Sequence, residues 1–167
     1  QHAAVSCAGL LLETETAALS RATNSLDKPV LSIVGGSKVS SKLEVIKNLS
    51  RLSDNIITGG GITNTFLKAK GFNIGNSLFE DSMLLEAKNL LSTANIYLPS
   101  KVVVGSNINS TEPRECDVTR VQDHEMILDQ VVDDQALALI SQAKQIIWNG
   151  PIGVFENNAF AHGTQQL

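Results

Sequence analysis

The chain has 167 residues, 43% hydrophobic and 18% charged, a balance that suits one globular domain with a real core and excludes a disordered or fibrous protein. Its formal net charge of -4 and pI near 5.3 leave no basic field for polymeric nucleic acid or an anionic membrane, so any phosphate must be held locally by a few groups. Cys7 and Cys116 stand far apart, with no Cys-x-x-Cys and no histidine at metal-ligand spacing, which excludes a disulfide framework and a zinc site and points to a cytoplasmic setting.

Along the chain, Ala3 to Leu12 is apolar but short and runs directly into Glu13-Thr14-Glu15, so no targeting or membrane segment is expected at this end. A helix is expected over Leu10–Ala22, with Asn24 to Pro29 as linker. The runs Val30–Val34, Asn55–Ile57, Asn95–Leu98, Val102–Val104 and Gln145–Trp148 are short and rich in Val and Ile, and read as buried strands. Between them, apolar residues recur at helical spacing: Leu43, Ile46, Leu49 and Leu52; Phe66 and Leu67 with Lys70; Leu84, Leu85, Ala87, Lys88 and Leu91; Leu137, Leu139, Ile140 and Ala143. This alternation predicts an α/β three-layer sandwich, Rossmann-like, with a mostly parallel sheet and helices on both faces. Pro99-Ser100 is expected to turn one strand into the next, and Gly105–His124, with Pro113 and mixed charge, reads as an irregular or antiparallel insertion. The chain opens on Gln1 and closes at Leu167, just after Gly163-Thr164 begin what reads as a helix, so a piece of something longer is expected.

Loops that follow the strands of an open parallel sheet converge on one edge, where bare backbone can approach a ligand closely. Three glycine clusters fall there: Gly35-Gly36, Gly59-Gly60-Gly61, and Gly150 with Gly153. One such cluster is better read as turn punctuation; three in corresponding positions, two of them beside Lys or Asn, favour a phosphate site. Ser41-Lys42-Leu43-Glu44 fits a capping box, which starts a helix at Ser41 and puts Lys42 in its first turn, among free amides and the positive dipole end. Lys38 lies just upstream. The alternative for Lys42 is an exposed lysine whose stem covers apolar surface. No Walker A loop and no Gly-x-Gly-x-x-Gly fingerprint opening a helix is present, so P-loop and NAD readings lose ground.

Four motifs in order, Gly-Gly-Ser-Lys-Val-Ser-Ser-Lys from Gly35, Thr-Gly-Gly-Gly-Ile-Thr-Asn-Thr-Phe-Leu from Thr58, Ile-Gly-Asn-Ser-Leu-Phe-Glu from Ile74 and Trp-Asn-Gly-Pro-Ile-Gly-Val-Phe-Glu from Trp148, resemble the phosphoglycerate kinase family, specifically its C-terminal nucleotide-binding lobe. The resemblance runs from about Ala3 to Leu167 and implies an interdomain helix and linker over 1–28 and a nucleotide-binding domain over 29–167, incomplete at its C-terminal end. It implies transfer of a phosphoryl group between 1,3-bisphosphoglycerate and ADP, with Mg accompanying ATP or ADP, in a cytoplasmic, glycolytic, monomeric enzyme. Lys42 would contact the nucleotide phosphates and Lys38 would stabilise the phosphoryl group in flight. Asn149 would donate to the phosphate chain, and Glu156 would accept from the ribose hydroxyls. Adenine would lie in a slot of Gly36, Ser37, Gly60, Gly61, Leu78, Leu128, Pro151 and Val154, with Gly153 in the same loop; without the resemblance, Leu78, Leu128 and Val154 read as core.

The family usually has aspartate where Ser41 stands, and a glycine soon after the pair matched by Leu128-Asp129, where this chain has Gln130-Val131-Val132. The family's N-terminal lobe, which grips 3-phosphoglycerate, and its Gly-Gly-Gly-Asp-Thr segment, whose aspartate helps hold Mg, have no counterpart in these residues, so no metal ligand is expected and the chain is expected to be inactive alone. A binding-only adenine-nucleotide module is the alternative, with another doubly wound domain for a phosphorylated metabolite behind it. His2, His124 and His162 are expected on the surface.

Overall fold

The Val- and Ile-rich run at 30–34 forms β1 (Val30–Gly35), a strand buried along its whole length because a parallel neighbour lies on either side. Those neighbours are β2 (Asn55–Gly59), with Leu31 opposite Asn55 and Gly35 opposite Gly59, and β7 (Gln145–Asn149), with Val30 opposite Gln145 and Val34 opposite Asn149. β3 (Ile96–Tyr97) adds to β2, giving the order β3-β2-β1-β7, all parallel. The computed structural model describes residues 27–167; the helix expected over Leu10–Ala22, the first part of the linker, His2 and Cys7 lie outside the described residues.

Side chains of a strand alternate between faces, and both faces of the sheet are covered at β1 and β2, whereas β7, expected as a buried strand, is an edge strand and leaves Ile146 and Trp148 43% and 47% exposed. On one, Val34 and Ile56 pack with Val39, Ile46 and Leu49 of α1 (Val39–Leu52), Ile62 and Phe66 of α2 (Gly61–Ala69) and Ala87 and Leu90 of α3 (Leu84–Thr93). On the other, Leu31, Ile33 and Ile57 pack with Ala136 of α4 (Asp134–Gln142) and with Ile152. Burying each such Leu, Ile or Phe side chain contributes roughly 1.5–3 kcal/mol, which is why the helical stripes read from sequence face the sheet. A last helix, α5 (His162–Gln166), starts where Gly163-Thr164 predicted one.

The region after β3 departs from the expected strand list. A second, antiparallel sheet of order β5-β4-β6 is built from β4 (Lys101–Gly105), β5 (Arg114–Asp117) and β6 (Met126–Gln130). Pro99-Ser100 carries the chain from one sheet to the other rather than folding one strand back on its neighbour. The insertion expected over Gly105–His124 is antiparallel in part. β5 has a polar, mostly exposed sequence, Arg-Glu-Cys-Asp, and β6 ends in Asp-Gln, so neither carried the apolar signal of a strand. This sheet packs Val102, Val104, Cys116 and Ile127 against Leu67 of α2 and Ile74. It therefore stands opposite the glycine loops and supplies the second wall of the cleft described next.

Candidate functional site: a cleft at the carboxyl edge of the parallel sheet

The three glycine clusters meet because β2, β1 and β7 end side by side. The Gly36 amide donates to the Gly59 carbonyl at 3.3 Å, the Ile62 amide to the Gly36 carbonyl at 3.2 Å, and the Gly60 amide to the Ile152 carbonyl at 2.9 Å. A Cβ on Gly35 would lie 1.7 Å from the Pro151 carbonyl oxygen, and one on Gly61 would lie 2.1 Å from the Ser37 oxygen. Much of the glycine content thus serves backbone-on-backbone packing of the loops. Gly36 differs: a Cβ there would meet only Ile62 Cδ1 at 3.5 Å and Lys42 Cε at 3.9 Å, because its open side faces the cleft.

That cleft, about 340 Å³, is lined by Gly36, Ser37, Gly60, Gly61, Leu78, Leu128, Pro151, Gly153, Val154 and Glu156. All eight positions expected to form the adenine slot are brought together, with Gly153 and Glu156 beside them. Four further lining residues were not anticipated: Asn64, Ile108, Met126 and Ile127. Met126 and Ile127 sit on the unrecognised strand β6, Ile108 follows β4, and Asn64 comes from α2. The motif starting at Thr58 includes Asn64, which was the one signal available for it. Leu78 and Ile108 are 52% and 51% exposed, so large apolar side chains stand open at the cleft mouth, as a flat apolar ligand requires.

Each wall is fixed. Asn64 Nδ2 donates to the Leu78 carbonyl at 3.1 Å, and the Ile127 amide donates to Ser77 Oγ at 2.7 Å. The Val154 amide donates to the Leu128 carbonyl at 2.8 Å. Asp129, buried behind that wall, accepts from the Gly163 amide at 2.8 Å and the Gln130 amide at 2.9 Å. A Cβ on Gly153 would come within 2.2 Å of Asp129 Oδ1, so the loop rests directly on this carboxyl, whose pKa burial pushes above the ordinary value.

Lys38, Lys42 and Asn149 do not line the cleft itself but stand beside it. Lys42 Nζ donates to Asn149 Oδ1, tying α1 to the end of β7. Trp148, 47% exposed, precedes that asparagine and donates from Nε1 to the Gly150 carbonyl at 2.7 Å.

The expected capping box is overturned. α1 begins at Val39, two residues before Ser41, with exposed Lys38 at the N-cap and no side-chain cap from it. Ser41 Oγ instead donates back to the Lys38 carbonyl at 2.9 Å, a local bond open to any serine in a first turn. Lys42 is therefore the fourth helical residue, at the edge of the dipole's reach rather than among the free amides. The free amides are taken by a distant carboxylate: Glu80 accepts from the Ser40 amide at 2.7 Å and from Ser40 Oγ at 2.5 Å. The Ser40 hydroxyl, the Ser40 and Val39 amides and the charge of Lys38 together hold Glu80 below the usual carboxylate range, against the opposing effect of burial. Among the described residues no group of three or more His, Cys, Asp or Glu is placed to hold a metal ion, His124 and His162 are exposed, and no helix is long and apolar enough to cross a membrane.

An open parallel sheet with helices on both faces and a cleft beyond its carboxyl ends defines a doubly wound α/β domain. A family model, phosphoglycerate kinase, matches residues 1–167, and the chain belongs to the phosphoglycerate kinase family. It is 45% identical over 170 residues to the phosphoglycerate kinase of Mannheimia succiniciproducens, covering 100% of this chain and 44% of that protein. Against the phosphoglycerate kinase of Blochmanniella floridana it is 46% identical over 168 residues, covering 98% and 42%. Among solved structures, phosphoglycerate kinase from Coxiella burnetii superposes with a TM-score of 0.88 at 41% identity, over 95% of this chain and 43% of that one. That from Pyrococcus horikoshii gives 0.78 at 30% identity, over 95% and 42%. The chain thus spans less than half the length of the relatives it matches.

Proposed function

We propose that this chain is the nucleotide-binding lobe of a phosphoglycerate kinase, the enzyme that moves a phosphoryl group between 1,3-bisphosphoglycerate and ADP, with 3-phosphoglycerate held by the family's other lobe. Residues 29–167 are the nucleotide domain in this reading, and 1–28 the connection to the partner lobe. The observation that carries it is the convergence of ten expected positions on one cleft, with Lys42 and Asn149 joined beside it.

The chemistry follows from what each group offers. Leu78, Leu128, Pro151 and Val154 give apolar walls, and Gly36, Gly60, Gly61 and Gly153 bare backbone, between which a purine can rest. The exposed Glu156 carboxylate accepts from ribose hydroxyls. The phosphate chain then leads out toward Lys42, which exchanges its bond to Asn149 Oδ1 for a charge-assisted one to phosphate, while the Asn149 amide nitrogen becomes available to donate. Lys38, about one turn earlier at the N-cap of α1, neutralises the equatorial oxygens of the transferred group, since phosphoryl transfer is catalysed chiefly by position and charge. Magnesium neutralises phosphate oxygens when it arrives with the nucleotide. The described residues do not supply a shell for it: Glu80 is engaged by Ser40 and no carboxylate cluster adjoins the lysines. In this reading the cation would be held chiefly by the nucleotide's own oxygens and water, where it would supply positive charge to the phosphates.

Titrating ADP into the protein while following Trp148 emission tests this reading. A saturable change is expected, displaced by adenosine and little strengthened by magnesium. No response at millimolar ADP would remove the proposal, and a large gain with magnesium would mean that a side chain of this protein holds the metal.

A further inference from the structure

We propose that Glu80 is the positioning residue that holds the two phosphate lysines in register with the base wall, and so sets how well the site distinguishes a nucleotide from its nucleoside; this rests on the nucleotide reading above. Helix α1, which carries Lys42 and has Lys38 as its N-cap residue, has no acidic residue in its first turn and no side-chain cap of its own. Its start must be anchored from elsewhere, because the first amides of a helix have no partner within it. Glu80, forty residues away, is that anchor. Its carboxylate takes the Ser40 amide and hydroxyl through two separate oxygens, at 2.7 and 2.5 Å.

The other end of the link is equally fixed. The Glu80 amide donates to Thr65 Oγ1 at 3.1 Å, and Thr65 donates to the Gly61 carbonyl at 2.8 Å. One residue earlier in α2, Asn64 holds the Leu78 carbonyl. Residues 78–80 are thus pinned to α2 at two points and pin α1 at one, so the apolar wall and the lysine helix move as a single unit. A misplaced lysine loses phosphate but leaves the base contacts intact.

Simple electrostatics argues for the opposite outcome. A carboxylate close to Lys38 should repel phosphate, and its removal should tighten ADP. The two accounts therefore differ in sign. Glu80→Gln retains an oxygen for the Ser40 amide and an NH2 that the Ser40 hydroxyl can accept, while losing the charge; Glu80→Ala loses both.

Affinities for ADP and for adenosine, measured by calorimetry on wild type and both variants, decide between them. The expected result is an ADP affinity about tenfold weaker in Glu80→Ala, the scale of one charge-assisted contact, with adenosine unchanged and Glu80→Gln close to wild type. An unchanged ratio of ADP to adenosine affinity, or tighter ADP in both variants, would overturn the proposal while leaving the nucleotide reading in place. Wild type that binds neither ligand would overturn the nucleotide reading instead. Hydrogen exchange at the Ser40 amide without nucleotide reads the clamp by itself: slow in wild type and fast in Glu80→Ala is expected, and fast exchange in wild type would refute it.

Discussion

Lys42 combines a stem laid against the open side of Gly36 with an ammonium that the protein itself satisfies through Asn149. Lys42→Met keeps the stem and removes the charge, so ADP affinity should fall by about 1.5–3 kcal/mol while the fold is unaffected. Lys70→Met is the informative comparison, because Lys70 and Lys88 border a different, larger hollow of about 600 Å³. Calorimetry showing equal ADP affinity in the two variants, or the larger loss at Lys70, would place the phosphates elsewhere. Which residues were legible in the sequence follows from how they act. Gly36, Leu78, Asn149 and Glu156 sit inside motifs whose order alone identifies a family. Glu80 closed the last residue of such a motif yet revealed nothing of its work, because its partner stands forty positions away and a first-turn capping pattern at Ser41 offered a nearer explanation. Ser-x-x-Glu marks a helix start only when the serine adopts an extended backbone, and that cannot be read from residue types.

At the scale of elements, the antiparallel sheet depends on polar contacts that a hydrophobic pattern does not display. Arg114 of β5 meets Glu125, just before β6, in a two-pronged bond, Nε to Oε1 at 2.9 Å and Nη2 to Oε2 at 2.6 Å, and the Gln122 amide adds a third donor at 2.9 Å. The guanidinium, foremost, holds the Glu125 carboxyl below its ordinary range. A carboxyl with a depressed folded pKa contributes stability above its unfolded value, and that contribution is lost as pH falls through the folded one. Arg114→Met should therefore destabilise the protein at neutral pH, by less than a fully buried pair would because the arginine is half exposed. Urea unfolding of both proteins at descending pH gives the check: the gap should close in acid, and a gap independent of pH would mean that the pair does not set the sheet's stability. The central strands β1 and β2, by contrast, were readable because burial on both faces favours Val, Leu and Ile, whereas β7 was found from its Ile-Ile-Trp run although Ile146 and Trp148 are exposed. β1 and β2 ran one and two residues beyond their apolar runs, into the glycines, since the backbone pairing of Gly35 with Gly59 needs no side chain, while β3 is shorter than the run expected over Asn95–Leu98.

For the molecule as a whole, alternation of strand and helix was enough to foresee three layers, and a cleft at the carboxyl edge follows from that topology. The second sheet was not foreseen, and with it went Met126, Ile127 and Ile108, the far wall of the cleft. Ten of the fourteen lining positions were thus expected, Leu128 of β6 among them through its family motif, and three of the four that were missed stand where they do only because β6 is carried beside β4 and opposite α2. The central claim is that this composite cleft, and no other hollow, receives an adenine nucleotide. Amide chemical-shift mapping during an ADP titration tests it most directly. The largest changes are expected at Gly36, Ser37, Gly60, Gly61, Gly153 and Val154, with Lys88–Thr93 unmoved. Changes centred instead on Lys70, Lys88, Tyr97 and Gln135, around the larger hollow, would contradict the account.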